Sequence, residues 1–121
     1  MAHNQCVWFD IPCLELKRAV QFYEAVLNCK TEPIPGMQGA VLPHANDDVS
    51  GCLFVREGET PSASGPLMYL NANGRLDDAI TKTQAHGGKL VKAKHAIGPY
   101  GFIAVILDSE GNRVALHSMT A

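Results

Sequence analysis

The chain has 121 residues, 46% of them hydrophobic and 18% charged, with a formal net charge of -2. That make-up fits one compact soluble domain and excludes any electrostatic pull toward nucleic acid or an anionic membrane. No apolar run approaches the roughly 20 residues that a membrane helix needs.

The opening residues lack the basic and then apolar pattern of an export signal, so a cytoplasmic location is expected. Cys6, Cys13, Cys29 and Cys52 are then read as reduced structural thiols, because disulfides belong to oxidising compartments. None of them stands in a Cys-x-x-Cys pair.

In chain order, Cys6–Ile11 alternates Val7, Phe9 and Ile11 with Cys6, Trp8 and Asp10, which is the period of a strand. Pro12 ends it. Leu16, Ala19, Val20, Tyr23, Val26 and Leu27 then recur three and four apart and predict a helix with one apolar stripe, stopped at Asn28. Short strands suit residues 30–34, 40–44 and 51–56, and Pro33, Pro35 and Gly36 interrupt the segment. Residues 57–66 are turn-rich and form a linker.

The pattern then restarts. Leu67–Asn71 predicts a strand, and Asn73 a cap for a helix carrying Leu76, Ala79, Ile80 and Thr83. Gly87 and Gly88 close that helix. Strands are expected at Lys89–Ala96, Phe102–Leu107 and Asn112–Ser118, with a tight turn over Asp108–Asn112.

The restart is an internal repeat at an offset of sixty residues. Val7, Phe9, Leu16, Ala19, Val20, Ala25 and Gly51 are answered by Leu67, Tyr69, Leu76, Ala79, Ile80, Ala85 and Gly111. Two copies of this length do not make a solenoid array. The chain therefore reads as a single α+β domain spanning residues 1–121, with a first module over about 5–56, a linker at 57–66 and a second module over about 67–119. Each module is strand–helix–strand–strand–strand, or βαβββ. One helix covers one face of a four-stranded sheet, so the pair is expected to form a curved, partly closed mixed sheet. The helices lie outside and a ligand cavity lies on the concave side.

Trp8-Phe9-Asp10-Ile11-Pro12 with the helix Leu16–Tyr23 resembles the first strand and helix of the vicinal oxygen chelate superfamily. That superfamily includes glyoxalase I, bleomycin-resistance proteins and extradiol dioxygenases. Gly87-Gly88-Lys89 and the stretch from Gly98 to Arg113 resemble its closing strands, so the resemblance covers essentially the whole chain. It implies a glyoxalase-like fold, a small-molecule ligand and a homodimer. It does not by itself choose an activity, because this fold carries lyases, dioxygenases and non-catalytic drug binders.

Metal-using members take one ligand from the first and one from the last strand of each module. Carried over, those positions fall on Trp8, Val55, Met68 and Ala115, with Leu67 replacing Met68 if the loop near Gly74 holds an extra residue. None of these side chains offers an oxygen or imidazole donor, so no divalent metal cofactor is expected.

Alternation along the strands turns the residues two further on toward the same cavity. These are Asp10, Glu57 and His117, joined by Tyr69 and Asn71 in the extra-residue register. Asp10, Glu57 and His117 are candidate general acids and bases. Each also has a bland reading: a backbone partner for Asp10, a solvated acid for Glu57, a plain strand residue for His117. Trp8, Val55, Tyr69, Asn71 and Ala115 are candidate ligand-binding residues, Trp8 as an aromatic wall.

Three functions follow. The first is a small-molecule binder or enzyme working without the usual metal. The second is a metal-dependent lyase or dioxygenase using a displaced Asp10, Glu57 and His117 set. The third is a non-catalytic, drug-sequestering dimer.

Overall fold

A computed structural model describes residues 3–46 and 48–121. The first module runs β1 (Trp8–Pro12), α1 (Leu16–Val26), β2 (Glu32–Pro33), β3 (Gly39–Val41) and β4 (Ser50–Phe54). The second runs β5 (Tyr69–Asn71), α2 (Leu76–Ala85), β6 (Lys89–Ala96), β7 (Phe102–Leu107) and β8 (Arg113–Ser118), with a single 3-10 turn at Gly98–Tyr100.

Each module is a four-stranded mixed sheet, in the orders β1-β4-β3-β2 and β5-β8-β7-β6. The βα unit makes the first and last strand of each sheet parallel neighbours, and hairpins join the rest antiparallel. The edge strands β1 and β5 are not paired with each other, so the assembly stays open between the modules.

Both helices pack on one side and share a core. Ile11, Phe22, Tyr23, Val26 and Leu53 of the first module meet Leu70, Leu76, Ile106, Val114 and Leu116 of the second. The two modules of the chain thus share one core. Asn28, at a φ of 50, ends α1 by leaving the right-handed region. Gly87, at a φ of 90, lets the Gly88 amide return to the Thr83 carbonyl at 2.9 Å and closes α2.

Three expectations need correction. Asn73 does not cap α2. The cap residue is Arg75, without a side-chain capping bond, while the Asn73 side-chain oxygen Oδ1 accepts the Met119 amide at 2.8 Å. Gly51 and Gly111, matched by the repeat, are not equivalent, because Gly51 lies inside β4 opposite Phe9 while Gly111 sits in the turn before β8.

The sixty-residue offset also holds for the helices but not for every strand. The Cys13 amide bonds the Phe54 carbonyl as the Ala72 amide bonds the His117 carbonyl, both at 2.8 Å. Cys13 thus corresponds to Ala72, and Phe54 to His117. By the same count Ala115 has its counterpart at Cys52 rather than Val55, and Asp10 is the counterpart of Tyr69.

Candidate functional site

Burial and strand pairing together sort the side chains by face. Ile11, Leu53, Leu70 and Leu116 point to the helices. At the alternate positions, Trp8, Asp10, Tyr69, Asn71, Ala115 and His117 take the opposite face. Leu67 and Ala115 join Ile103, Val105 and Ile97 in a separate small cluster there. Val55 lies beyond the end of β4 and packs against the helix-side core. Glu57 is exposed in the turn that follows.

The first module's share of this face is closed by its own contacts. Cys52 donates its thiol to Asp10 at 3.1 Å, and Arg56 bonds the same carboxylate at 2.8 Å. Those two bonds hold the Asp10 carboxyl below the usual carboxylate range. An ionised, paired Asp10 is a poor proton carrier at neutral pH. Burial, and then Asp10 itself, push the Cys52 thiol up to about 11, which leaves it un-ionised and unreactive. Arg56 in turn lies over the Phe54 ring, 3.8 Å from its centroid. All four cysteines are free thiols.

The second module's share is more open. His117 sits between the Tyr69 ring, 6.2 Å away by centroids, and the Tyr100 carbonyl, 2.6 Å from Nε2. A carbonyl only accepts, so Nε2 carries the proton and a neutral His117 keeps its lone pair on Nδ1. Asn71 is partly spent on a local turn, its side-chain oxygen accepting the Asn73 amide at 2.9 Å. Tyr69 is 53% and Trp8 43% exposed, and the Trp8 ring stands edge-on to His44 at 6.5 Å.

Two cavities open along the seam where β1 faces β5. One, of about 400 Å³, lies under the loop between β3 and β4, where His44, Asp48, Ser50, Tyr69 and Asn71 are among the polar lining and Phe9, Leu42 and Leu70 among the apolar one. The other, of about 410 Å³, lies against the 57–68 connection. Trp8 borders the first through His44, to which it stands edge-on, and Ser50, its strand partner.

Among the described residues no three His, Cys, Asp or Glu side chains come together in a way that could hold a metal ion. At the positions carried over from metal-using members stand Trp8, Leu67 and Ala115, with Cys52 at the place assigned to Val55. Their donor chemistry does not fit a hard divalent ion. The structure does not gather Asp10, Glu57 and His117 either. Asp10 is tied to Arg56 in one sheet, His117 stands in the other, and Glu57 lies in a loop. Arg56 and Cys52, which govern Asp10, were missed by sequence reasoning. The signal for Cys52 was there, since strict alternation from Leu53 puts it on this face.

No family model and no curated protein matches the chain. Solved structures do. A glyoxalase/bleomycin resistance protein from Albidiferax ferrireducens superposes with a TM-score of 0.77 at 13% identity, over 95% of this chain and 98% of that one. A glyoxalase/bleomycin resistance protein/dioxygenase family enzyme from Burkholderia phytofirmans gives 0.71 at 18% identity, over 93% and 97%. A hypothetical protein from S. aureus gives 0.75 at 16% identity, over 97% and 95%. The chain has the fold of the vicinal oxygen chelate superfamily, built as two βαβββ modules. Among the described residues no helix is long and apolar enough to cross a membrane.

Proposed function

We propose that this protein binds a small organic molecule in the seam beneath the loop between β3 and β4, without a divalent metal. The observation that carries the reading is a cavity of about 400 Å³ between the modules, lined by Phe9, His44, Ser50, Tyr69 and Asn71. The size and the mix of apolar wall with a few polar groups are those of a ligand site. Tyr69 offers a flat face, and His44, Asp48 and Asn71 offer polar groups for hydrogen bonding. The fold names of the solved relatives support a small-molecule role but do not choose the molecule. A homodimer belongs to the same proposal and is read by sedimentation equilibrium.

The test is titration of the purified protein with a panel of flat aromatic and heteroaromatic molecules, followed by Trp8 fluorescence and by thermal melting. Saturable binding is expected, unchanged by a chelator, and Tyr69→Ala is expected to weaken it about tenfold, the effect of one lost aromatic contact. Failure of every molecule to bind, or Tyr69→Ala binding as well as the parent, overturns the site.

The metal-dependent alternative makes the opposite prediction. Adding iron, manganese, nickel, cobalt or zinc separately is expected to leave the melting temperature unchanged. A near-stoichiometric metal, or a rise in melting that His117→Ala or Asp10→Ala abolishes, overturns the metal-free reading.

A further inference from the structure

The second seam cavity, about 410 Å³, is lined by Phe9, Ile11 and Met68 on its apolar side and by Ser62, Ser64 and Arg113 on its polar side. Arg113 is the first residue of β8 and stands two positions before Ala115, hence on the same face. Its Nη2 donates to the Gly65 carbonyl at 2.7 Å. Its Nε is buried and has no acceptor among the described residues.

Arg18, Arg56 and Arg75 each sit on a carboxylate. Arg113 has none among the described residues. A guanidinium cannot shed its charge, and a buried donor left unmet is destabilising, so this side chain is set up for an anion that the chain itself does not supply.

We propose that this cavity takes a small organic carboxylate, its charged head on Arg113 and its apolar body on Phe9, Pro66 and Met68. Two details support a carboxylate here. The Ser62 and Ser64 hydroxyls stand 3.1 Å apart, so one donates to the other and the second keeps a proton with no acceptor among the described residues. Asp10 also borders the cavity, but Arg56 at 2.8 Å already answers its charge, so it does not neutralise Arg113. An inorganic anion would satisfy Arg113 equally but would leave the apolar lining uncovered, which is why an organic acid is the better occupant. This site is separate from the one beneath the loop between β3 and β4, and either can fail without the other.

The probes are benzoate and its uncharged isostere benzamide, titrated into the full-length nitrogen-15-labelled protein at millimolar concentrations. The Arg113 Nε–H signal and the Ser62 and Met68 amides report the site. Benzoate is expected to move these signals saturably, with benzamide at least about tenfold weaker, and Arg113→Gln is expected to weaken benzoate by a similar factor. Melting of the Arg113→Gln protein checks that it is folded, and the benzoate–benzamide comparison on the parent decides the matter even if the variant is not. Equal binding of the two probes, no saturable shift, or shifts confined to Tyr69 and Asn71 overturns the proposal. An acetate titration that matches benzoate would show a simple anion site and overturn the organic part of it.

Discussion

Glu110→Ala is expected to cost about 3 kcal/mol of stability, from a lost helix cap together with lost charge-assisted bonds. In a chain of this size that lowers the melting temperature by on the order of 10 °C. The reason is that α1 cannot cap itself: its cap residue Glu15 makes no side-chain capping bond, and its first turn carries no acid. The turn between β7 and β8, in the other module, supplies what is missing. Glu110 Oε1 accepts the Leu14 amide at 2.9 Å and the Glu15 amide at 2.8 Å. Oε2 accepts Arg18 Nε at 2.7 Å and the Ser109 hydroxyl at 2.9 Å. The other end of α1 is held across the module boundary too, where Arg75 donates to the Val26 carbonyl at 2.7 Å. Arg18 remains half in water, so most of the loss falls on the two backbone amides and the buried carboxylate rather than on the ion pair.

The same residue sets a pH dependence. Burial works to raise the Glu110 pKa, but the Arg18 guanidinium, the Glu15 and Leu14 amides and the Ser109 hydroxyl outweigh it and hold the carboxyl at about 2. A folded-state value below the unfolded one means stability that is fully present above about 4.5 and is lost as pH falls toward about 2. Melting curves of the parent and of Glu110→Gln should therefore diverge at neutral pH and converge on acidification. A difference that stays constant from pH 7 to pH 3 would refute this account.

The sequence was most legible where structure is local. The bounds of β6 and β7 and the stripe of α1 follow from spacing alone, because an eleven-residue helix needs only its neighbours to bury one face. Between α1 and β4, Pro33 cuts β2 to two residues, and the register of the remaining strands depends on which side chains meet across the sheet.

Offsets are the weak point of repeat-based inference. Helices can keep a sixty-residue spacing while turns of unequal length shift the strands around them, and a single such shift moved a candidate position from Cys52 to Val55. Long-range partners are harder still. Nothing near Leu14 in the sequence announces that its cap is 96 residues away. The face bearing Tyr69, Asn71 and His117 was legible by alternation. The pairing of Asp10 with Arg56, and the lack of a carboxylate for Arg113 among the described residues, were not, since both depend on how loops close in space.

Gly51→Ala is expected to be at least as damaging as the loss of Glu110, and for a reason the repeat concealed. Gly51 and Gly111 share the sixty-residue spacing, yet they are glycines for different causes. Gly111 sits in a turn at a φ of 102 with open space around its α-carbon. An alanine there is strained only through its backbone, at about 1 kcal/mol. Gly51 has no such conformational need. It lies in β4 directly opposite Phe9, whose ring covers it, and a Cβ would stand 2.3 Å from the Phe9 carbonyl oxygen and 2.4 Å from the ring. A ring can rotate, but a carbonyl in the parallel β1–β4 pairing cannot move without parting the strands. Overpacking of this kind costs about 3 kcal/mol or more. A double-mutant cycle separates the two contacts. Phe9→Ala removes the ring and should return only part of the stability lost in Gly51→Ala, because the carbonyl contact persists. Full recovery in the double variant would show that the ring alone requires glycine here. If Gly51→Ala melted like the parent, the register of β1 against β4 would be wrong, and with it the assignment of Asp10 and Cys52 to one face.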